Sequence, residues 1–102
     1  MQGKLTDLLI TAKATAKKGQ EAELERALRE VVAPTRAQHG CVEFVLIRSK
    51  DDPATIIGLE RWASAADHEM HLQGEHVKTL MQRLGSILAK PPEILAHQVI
   101  DG

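Results

Sequence analysis

The chain has 102 residues, 43% of them hydrophobic and 26% charged, which is the composition of one globular domain spanning residues 1–102. Thirteen lysines and arginines against fourteen aspartates and glutamates leave a net charge of −1, so the cationic surplus that nucleic-acid binding needs is absent. No apolar run approaches the roughly 20 residues that span a bilayer, and the first residues lack the apolar segment of a signal peptide. The single cysteine, Cys41, fits a reducing compartment. We therefore expect a cytoplasmic protein without a nucleic-acid or membrane partner.

The chain is unusually poor in aromatic residues. Phe44 and Trp62 are the only two, and there is no tyrosine. This composition excludes reactions that need a phenol side chain as proton donor. It also excludes an aromatic platform on which single-stranded nucleic acid could stack.

The first part of the chain predicts a strand followed by a helix. Residues 8–16 include β-branched side chains and carry apolar residues at alternating positions, which is typical of a strand. From Gln20 the apolar spacing becomes helical, with one buried stripe made of Leu24, Ala27, Leu28, Val31 and Val32. Pro34 is expected to bend or end this helix. Gly40 is expected to terminate the helical segment in the left-handed backbone conformation.

The middle of the chain predicts a hairpin and a short helix. Residues 41–49 and 55–62 have the composition of strands, and the turn-forming residues between them favour an antiparallel pair. Ser64 and Asp67 have the spacing of a capping box, which predicts a helix that begins there and ends near Leu72.

A second helix and a last strand complete the predicted elements. Gly74 interrupts the helical pattern, which then continues as an apolar stripe at Val77, Leu80, Met81, Leu84, Ile87 and Leu88. Pro91 and Pro92 are expected to end this helix after Lys90, since proline cannot continue it. Residues 94–100 predict the last strand.

The predicted order, β-α-β-β-α-α-β, is that of an α+β fold of the ferredoxin-like, split βαβ type, with a four-stranded antiparallel sheet and a core over about residues 8–100. In this fold the helices cover only one face of the sheet. Both predicted faces are apolar, however: one carries Val42, Phe44, Leu46 and Ile56, and the other carries Val45, Ile47, Ile57 and Leu59. A second subunit on the free face, in a two-fold homodimer, is the simplest way to cover it.

The sequence lacks the usual motifs of a nucleotide-binding site and of a zinc site. The seven glycines form neither a G-x-G-x-x-G motif nor a P-loop. His68, His71 and His76 lie within nine residues, but their spacing is not a familiar zinc pattern. We therefore expect neither a cofactor nor a metal, with a metal held by these histidines as the alternative.

His71 and His76 are the candidate proton carriers. They flank the Gly74 break, so they lie at the end of one predicted helix and at the start of the next, where irregular backbone often lines a pocket. An imidazole at the border of an apolar stripe suits proton transfer near neutral pH. The alternative is that both histidines cap helix ends or lie on the surface.

The third predicted strand carries a second group of candidates. Glu60 and Trp62 share a face with Gly58, which leaves space in the middle of the strand. A carboxylate this close to the only tryptophan is either a buried acid with a raised pKa or the partner of an arginine. The arginines available for such a pair are Arg36, Arg48 and Arg61. Trp62 itself is expected to anchor the core or an interface.

Taken together, these residues resemble the antibiotic biosynthesis monooxygenase (ABM) domain family. The similarity extends over about residues 8–100 and rests on Gly19, Leu24, His39-Gly40-Cys41, Glu60-Arg61-Trp62-Ala63-Ser64, His71-Leu72-Gln73 and His76. It implies a dimeric α/β barrel with a ferredoxin-like protomer and a pocket between helices and sheet. The family's activities include cofactor-free oxidation of quinols and polyketide phenols, haem degradation, and isomerisation of a small phosphorylated compound, so fold alone does not decide the reaction.

Differences between this chain and the individual branches of the family reduce the number of activities that the resemblance supports. Haem-degrading members use an Asn, a Trp and a His at three positions that fall near Ala12, His71 and Met81 of this chain. All three residues differ here, which argues against haem degradation. The polyketide oxygenases depend on Asn, Trp and Tyr, and this chain keeps Trp62 but has no tyrosine. The quinol-monooxygenase-like and isomerase-like branches both carry a histidine pair that matches His71 and His76.

The resemblance therefore implies a monooxygenase that acts on quinols or related phenols without flavin or metal. His71 or His76 is the expected catalytic base, and the expected substrate-binding residues are Trp62, Glu60, Met81 and Leu80. Two other functions stay open: a non-oxidative isomerase of a small carbonyl compound that uses the same histidines, and a non-catalytic dimer that binds a small ligand. Lys78 and Arg83 are too few cations near the histidines to favour a phosphorylated substrate.

Overall fold

The structure of the protein, a computed structural model, describes residue 4 and residues 6–102. Its elements are, in chain order, β1 (Leu8–Thr15), α1 (Glu21–Glu30), α2 (Val32–Arg36), β2 (Cys41–Arg48), β3 (Thr55–Trp62), α3 (Ala65–Leu72), α4 (Glu75–Leu84) and β4 (Glu93–Gln98). None of the helices in this part of the chain is long and apolar enough to cross a lipid bilayer.

The four strands form one antiparallel sheet in the order β2-β3-β1-β4. This order, with the helices inserted between the strands as listed above, is the ferredoxin-like split βαβ topology. The predicted α+β class and four-stranded antiparallel sheet are therefore confirmed. The hairpin of β2 and β3 forms as predicted, whereas β4 ends at Gln98, two residues before the predicted end of the last strand.

The first helical segment is divided in two at Val31, which lies between α1 and α2. Pro34 explains the division, because it has no N–H to donate to the carbonyl of Glu30 and its ring crowds that carbonyl. Gly40 has a φ of +81°, the left-handed conformation that the sequence predicts for it, and it leads directly into β2.

Ser64 caps α3 in the way its spacing to Asp67 predicts. Its Oγ accepts the backbone N–H of Asp67 at 3.1 Å, and its hydroxyl donates to Oδ2 of the same residue at 2.8 Å. The helix then ends at Leu72, as predicted, and Gly74 is the N-cap of α4.

The prediction that the second helix continues to Lys90 is wrong, because α4 ends at Leu84. Beyond it, Leu88 forms an isolated antiparallel bridge with Ala16, and the N–H of Lys17 donates to the carbonyl of Ile87 at 2.8 Å. Ile87 and Leu88 are nevertheless buried. The helical spacing thus identified core residues correctly, but pairing with the end of β1 takes the place of the last helical turns.

The core lies between the helices and one face of the sheet. Its largest fully buried side chains are Trp62, Leu24 and Thr35, and burying an aliphatic side chain such as that of Leu24 contributes roughly 1.5–3 kcal/mol. On the same face of the sheet, Ala12 of β1 lies opposite Gly58 of β3. Because both residues are small, the middle of this face leaves space between the sheet and the helices.

The helices leave the other face of the sheet open. This open face carries the aliphatic side chains of Leu9, Val45, Ile47, Ile57, Leu59 and Leu95. Ile47 and Leu95 are 40% and 58% exposed. In its middle, Oγ1 of Thr11 and Nε2 of His97 are hydrogen-bonded at 2.8 Å. Both faces of the sheet therefore carry apolar side chains, as expected, although the open face also carries Lys13, Glu43, Arg61 and Glu93.

Candidate active site

A cavity of about 90 Å³ lies between the helices and the sheet, next to Ala12 and Gly58. We call it the apolar cavity, because most of its wall is aliphatic. The titratable side chains that the structure describes in this wall are Glu60, His68 and His71. Leu72, Met81 and Ile94, each more than 40% exposed, form its rim. The space that Gly58 was expected to leave in the strand is therefore part of a cavity.

Glu60 extends from β3 into the buried face of the sheet and is only 6% exposed. Trp62, two residues further along the strand and so on the same face, donates its Nε1–H to Oε1 of Glu60 at 2.9 Å. Burial raises the pKa of Glu60, because desolvation disfavours the carboxylate, and the hydrogen bond from Trp62 opposes this shift. Glu60 is thus the buried acid with a raised pKa that was one of the two predicted alternatives.

The three arginines considered as partners of Glu60 bind elsewhere. Arg36 donates to the carbonyl oxygen of Phe44, Arg48 pairs with Glu25, and Arg61 lies 3.7 Å from Asp7. The carboxyl group of Glu60 is therefore left with a neutral donor, Trp62, instead of a cation. This is why burial has the larger effect on its pKa.

His71 lies at the end of α3 and is 6% exposed. Its Nδ1 lies 2.7 Å from Oε1 of Gln38, which assigns the hydrogen to Nδ1 and leaves a lone pair on Nε2. Nε2 lies 3.8 Å from Oε1 of Glu60, too far for a direct hydrogen bond. Burial, and then the neighbouring His68 and His76, lower the pKa of His71 to about 4. The imidazole is therefore neutral at pH 7.

His76 lies at the start of α4 beside His71, with 5.9 Å between the ring centroids. Its Nε2 is hydrogen-bonded at 3.1 Å to Oγ1 of the fully buried Thr35. Gly74 makes room for the ring, because a Cβ at that position would lie 2.9 Å from Cε1 of His76. His76 is outside the wall of the apolar cavity, so any effect on a ligand there passes through His71.

His68 precedes His71 by one turn of α3 and shares the wall of the cavity with it. The two rings stack with centroids 5.9 Å apart, and burial lowers the pKa of His68. Trp62 packs against both rings, at centroid distances of 6.1 Å from His68 and 4.7 Å from His71. Trp62 thus supports the polar groups of the cavity from within the core.

The cavity brings together four of the six site residues named from the sequence, which are Glu60, His71, Leu80 and Met81. The other two lie outside its wall. Trp62 has no exposed surface and fills the core, which was its alternative role, and it contacts the site through Glu60 and His71. His76 contacts the site through His71.

Gln38 and Thr35 are parts of this site that the sequence did not reveal. They are separated by 33 and 41 residues from the histidines they bind. Both lie near Pro34, in a segment whose helical pattern is interrupted, so no periodic signal marks them. Only a long-range contact identifies them.

The three neighbouring histidines were also considered as metal ligands. Among residues 4 and 6–102, no group of three or more His, Cys, Asp or Glu side chains is arranged to hold a metal ion. The imidazole of His71 instead has Gln38 as its hydrogen-bond partner, and that of His76 has Thr35.

Comparison with known proteins identifies relatives of the chain. Residues 8–83 match the antibiotic biosynthesis monooxygenase (ABM) family. The crystal structure of PA3566 from Pseudomonas aeruginosa is 30% identical in sequence and superposes with a TM-score of 0.89, covering 94% of this chain and 96% of that one. A candidate antibiotic biosynthesis monooxygenase from Nitrosomonas europaea is 19% identical with a TM-score of 0.89, covering 98% and 94% of the two chains.

A relative from Synechocystis sp., the uncharacterized protein sll1783, is 18% identical over 94 residues. These residues are 92% of this chain but 64% of the relative, so the chain spans a little under two thirds of that protein's length.

The family match extends from the start of β1 to the last turn of α4, which is most of the chain. The relative from Pseudomonas aeruginosa adds agreement in fold over nearly the full length of both chains. The resemblance that the residues around Trp62 and His71 predicted is therefore confirmed: this chain belongs to the antibiotic biosynthesis monooxygenase family.

Proposed function

We propose that the protein is a cofactor-independent monooxygenase that acts on single-ring quinols or related phenols. The observation that carries this proposal is the apolar cavity, whose wall contains a neutral imidazole, His71, beside a buried acid, Glu60. Such a cavity would bind an aromatic ring through apolar contacts and present proton-transfer groups to its hydroxyl. Membership of the ABM family makes a reaction with O2 the first one to test.

In this proposal the electrons that reduce O2 come from the substrate. A quinol with one unsubstituted ring carbon takes one oxygen atom from O2 at that carbon and leaves as a hydroxyquinone. The second oxygen atom leaves as water, together with two of the quinol's hydrogens. The ring gives up four electrons and O2 accepts four, so no further reductant is required.

Removal of a proton from a quinol hydroxyl would start the reaction, because a phenolate gives an electron to O2 far more readily than a phenol. His71 is the proposed base. Its Nδ1–H is held by Gln38 at 2.7 Å, which leaves the Nε2 lone pair free to accept the proton. A positioned base of this kind typically contributes 10²–10⁴-fold to the rate.

Glu60 is the proposed hydrogen-bonding partner of the same hydroxyl. An oxygen atom about 2.8 Å from both Nε2 of His71 and Oε1 of Glu60 would bridge the 3.8 Å between them. Burial raises the pKa of Glu60 and lowers that of His71, so it favours the neutral form of both side chains. A protonated Glu60 would donate to the phenolate oxygen and stabilise its negative charge.

The size and lining of the apolar cavity favour a small neutral substrate. A volume of about 90 Å³ accommodates at most one ring that extends to the rim at Met81 and Ile94, and a fused polycyclic phenol exceeds it. The described residues of the wall include no lysine or arginine. A phosphorylated substrate would therefore lose its hydration without gaining a cationic partner.

We also propose that two copies of the chain pack together through the open face. Its six aliphatic side chains share the face with the Thr11–His97 pair and the ion pair of Lys13 and Glu93, and a second copy would remove them from water. Packing on a two-fold axis would bury this face in both copies and leave the apolar cavity, on the opposite side of the sheet, in each protomer.

The experiment that tests the reaction is O2 uptake by the purified protein with a panel of single-ring quinols, measured above the uncatalysed rate. We expect one O2 consumed for each hydroxyquinone formed. Binding in a thermal-shift screen followed by conversion of a carbonyl compound without O2 uptake would identify an isomerase. Binding without turnover of any ligand would identify a binding protein, and either result would contradict the monooxygenase proposal.

Variants of the histidines test the base. His71→Gln is expected to lower the rate of O2 uptake by about 10²–10⁴-fold, whereas His76→Gln is expected to lower it less, because His76 lies outside the cavity. The matched control is His39→Gln, since the side chain of His39 is 96% exposed, binds Asp67 and is not part of the cavity wall. Unchanged O2 uptake in the double variant of His71 and His76 would exclude the histidine base.

A further inference from the structure

A second and larger cavity lies between the α1–α2 segment and β2. It is a groove of about 350 Å³, within the range of small-ligand pockets. Its wall contains Arg29, Arg36 and Arg48, together with Glu25 and the aliphatic residues Val32, Val45, Leu46, Ile47 and Ile56. We call it the arginine groove. Leu46 belongs to the walls of both cavities, but neither Glu60 nor His71 belongs to the arginine groove.

The arginine groove carries an excess of positive charge. Its one carboxylate, Glu25, accepts from Nη2 of Arg48 at 2.5 Å and from Nε of Arg29 at 2.8 Å. These two hydrogen bonds lower the pKa of Glu25, so it stays ionised at neutral pH. Three guanidinium groups against one carboxylate leave two positive charges uncompensated in a chain whose net charge is −1.

Arg36 provides a cation that is already held in position. Its Nε and Nη2 both donate to the carbonyl oxygen of Phe44, at 3.1 and 2.9 Å. A carbonyl oxygen is neutral, and no carboxylate in the described part of the chain lies within 4.0 Å of this guanidinium. Three of the five N–H donors of Arg36 therefore stay available. Because the side chain is already fixed, binding an anion would cost little additional conformational entropy.

The edge of the sheet adds a backbone donor to the groove. β2 is an edge strand, so its N–H and C=O groups that face away from β3 have no partner strand. The carbonyl of Phe44 is one of them, since it binds Arg36. By the alternation of an antiparallel strand, the N–H of Leu46 points in the same direction and lies between Arg36 and Arg48.

This arrangement favours a compact ligand over an extended peptide. A peptide that added a strand to β2 would need the carbonyl of Phe44 for its hydrogen-bond ladder, and Arg36 already occupies that carbonyl. A small anion needs only the free guanidinium donors and the N–H of Leu46, and its apolar part can lie against Val32 and the side chain of Leu46.

We propose that the arginine groove binds a small ligand with at least two anionic oxygens, either a phosphate monoester or a dicarboxylate. The site is independent of the proposed oxygenase reaction, since the apolar cavity has no cation in its described wall and favours a neutral molecule. Failure of one proposal therefore leaves the other intact.

The test is a titration of the full chain with inorganic phosphate and, separately, with succinate, followed by two-dimensional amide NMR at an ionic strength held constant with sodium chloride. We expect saturable shifts of the amide signals of Arg36, Leu46 and Arg48. Tighter binding of phosphate would identify a phosphate site, and tighter binding of succinate would identify a dicarboxylate site.

Variants of the arginines test whether the ligand binds in the arginine groove. Arg36→Gln is expected to weaken binding about tenfold or more, because a charge-assisted hydrogen bond is lost. Arg48→Gln serves as a second variant if the loss of the bond to Phe44 unfolds the first. Arg26→Gln is the control, since Arg26 lies on α1 but pairs with Glu23 outside the groove. Shifts that do not saturate, or an equal affinity in the Arg48 and Arg26 variants, would overturn the proposal.

Discussion

Nδ1 of His71 and Oε1 of Gln38 lie 2.7 Å apart across 33 positions of the chain, and this hydrogen bond decides which nitrogen of His71 is free. With the hydrogen on Nδ1, the lone pair of Nε2 is available on the side of Glu60. The contact thus connects the irregular segment after α2 to the base proposed for the reaction.

Replacing Gln38 should therefore change the titration of His71. In Gln38→Glu a carboxylate would stabilise the imidazolium, so we expect the pKa of His71 to rise by at least one unit from its value of about 4. In Gln38→Leu the acceptor is lost, and we expect kcat to fall about tenfold or more with a smaller change in KM. NMR titration of the histidine signals measures the first effect. A pKa that is the same in Gln38→Glu and the wild type would contradict this role.

The lowered pKa of His71 also predicts how stability depends on pH. Between pH 6.5 and about 4 the unfolded chain binds a proton at His71 and the folded protein does not, so the free energy of unfolding decreases as the pH falls through this range. The difference between the two pKa values corresponds to about 3 kcal/mol. Burial of Glu60 acts in the opposite direction, since its raised pKa favours the folded state at low pH.

Comparison with His71→Gln isolates the contribution of His71. We expect the wild type to lose about 3 kcal/mol more stability than this variant between pH 7 and pH 4. Urea unfolding at a series of pH values provides the measurement. Parallel pH profiles for the two proteins would show that His71 is not buried in the neutral form.

Two glycines should respond in opposite ways to replacement by alanine. At Gly58 a Cβ would lie 3.8 Å from Oε2 of Glu60 and 3.9 Å from Cβ of Ala12, which is ordinary van der Waals contact. We expect Gly58→Ala to stabilise the protein by about 0.5–1 kcal/mol and to raise KM, because its methyl group enters the apolar cavity.

Gly40 is the contrasting position. Its φ is +81°, and a Cβ there would lie 2.2 Å from Cγ of Asp67. We expect Gly40→Ala to destabilise the protein by at least about 1 kcal/mol. Thermal unfolding of both variants checks the pair, and a stabilised Gly40→Ala would contradict the packing described here.

Leu59 provides a test of the proposed dimer. It lies on the open face, so Leu59→Lys would place a charge in an apolar interface while leaving the core on the helical side intact. We expect sedimentation equilibrium to show a folded monomer for this variant and a dimer for the wild type. Thr79→Lys, on the exposed surface of α4, is the control and should stay dimeric. A wild-type protein that is monomeric at micromolar concentration would contradict the proposal.

Local sequence signals account for most of the fold. The capping box of Ser64, the left-handed Gly40, and the alternation in β1, β2 and β3 each act over a few residues, and each appears in the structure as predicted. The end of α4 was not predictable in this way. Leu84 is followed by the C-cap residue Gly85 but also by apolar residues at helical spacing, and the bridge between Leu88 and Ala16 shows that these pair with the sheet instead.

The site was predictable only in part, because some of its residues are marked by local sequence features and others only by long-range contacts. Glu60 and His71 were identified because each lies beside a local feature, a strand glycine for the first and a helix break for the second. Gln38 has no such feature, and its role depends on a contact with a residue far along the chain. The distinction between an acid that is buried and one paired with an arginine also required knowing where Arg36, Arg48 and Arg61 lie.

The most direct test of the proposed site is the protonation state of His71, measured by nitrogen-edited NMR of the histidine side chains from pH 3 to pH 8. Our account predicts a neutral ring with its hydrogen on Nδ1 throughout the neutral range and a midpoint near 4. A ring that becomes charged at pH 6 or above, or one that carries its hydrogen on Nε2, would contradict it.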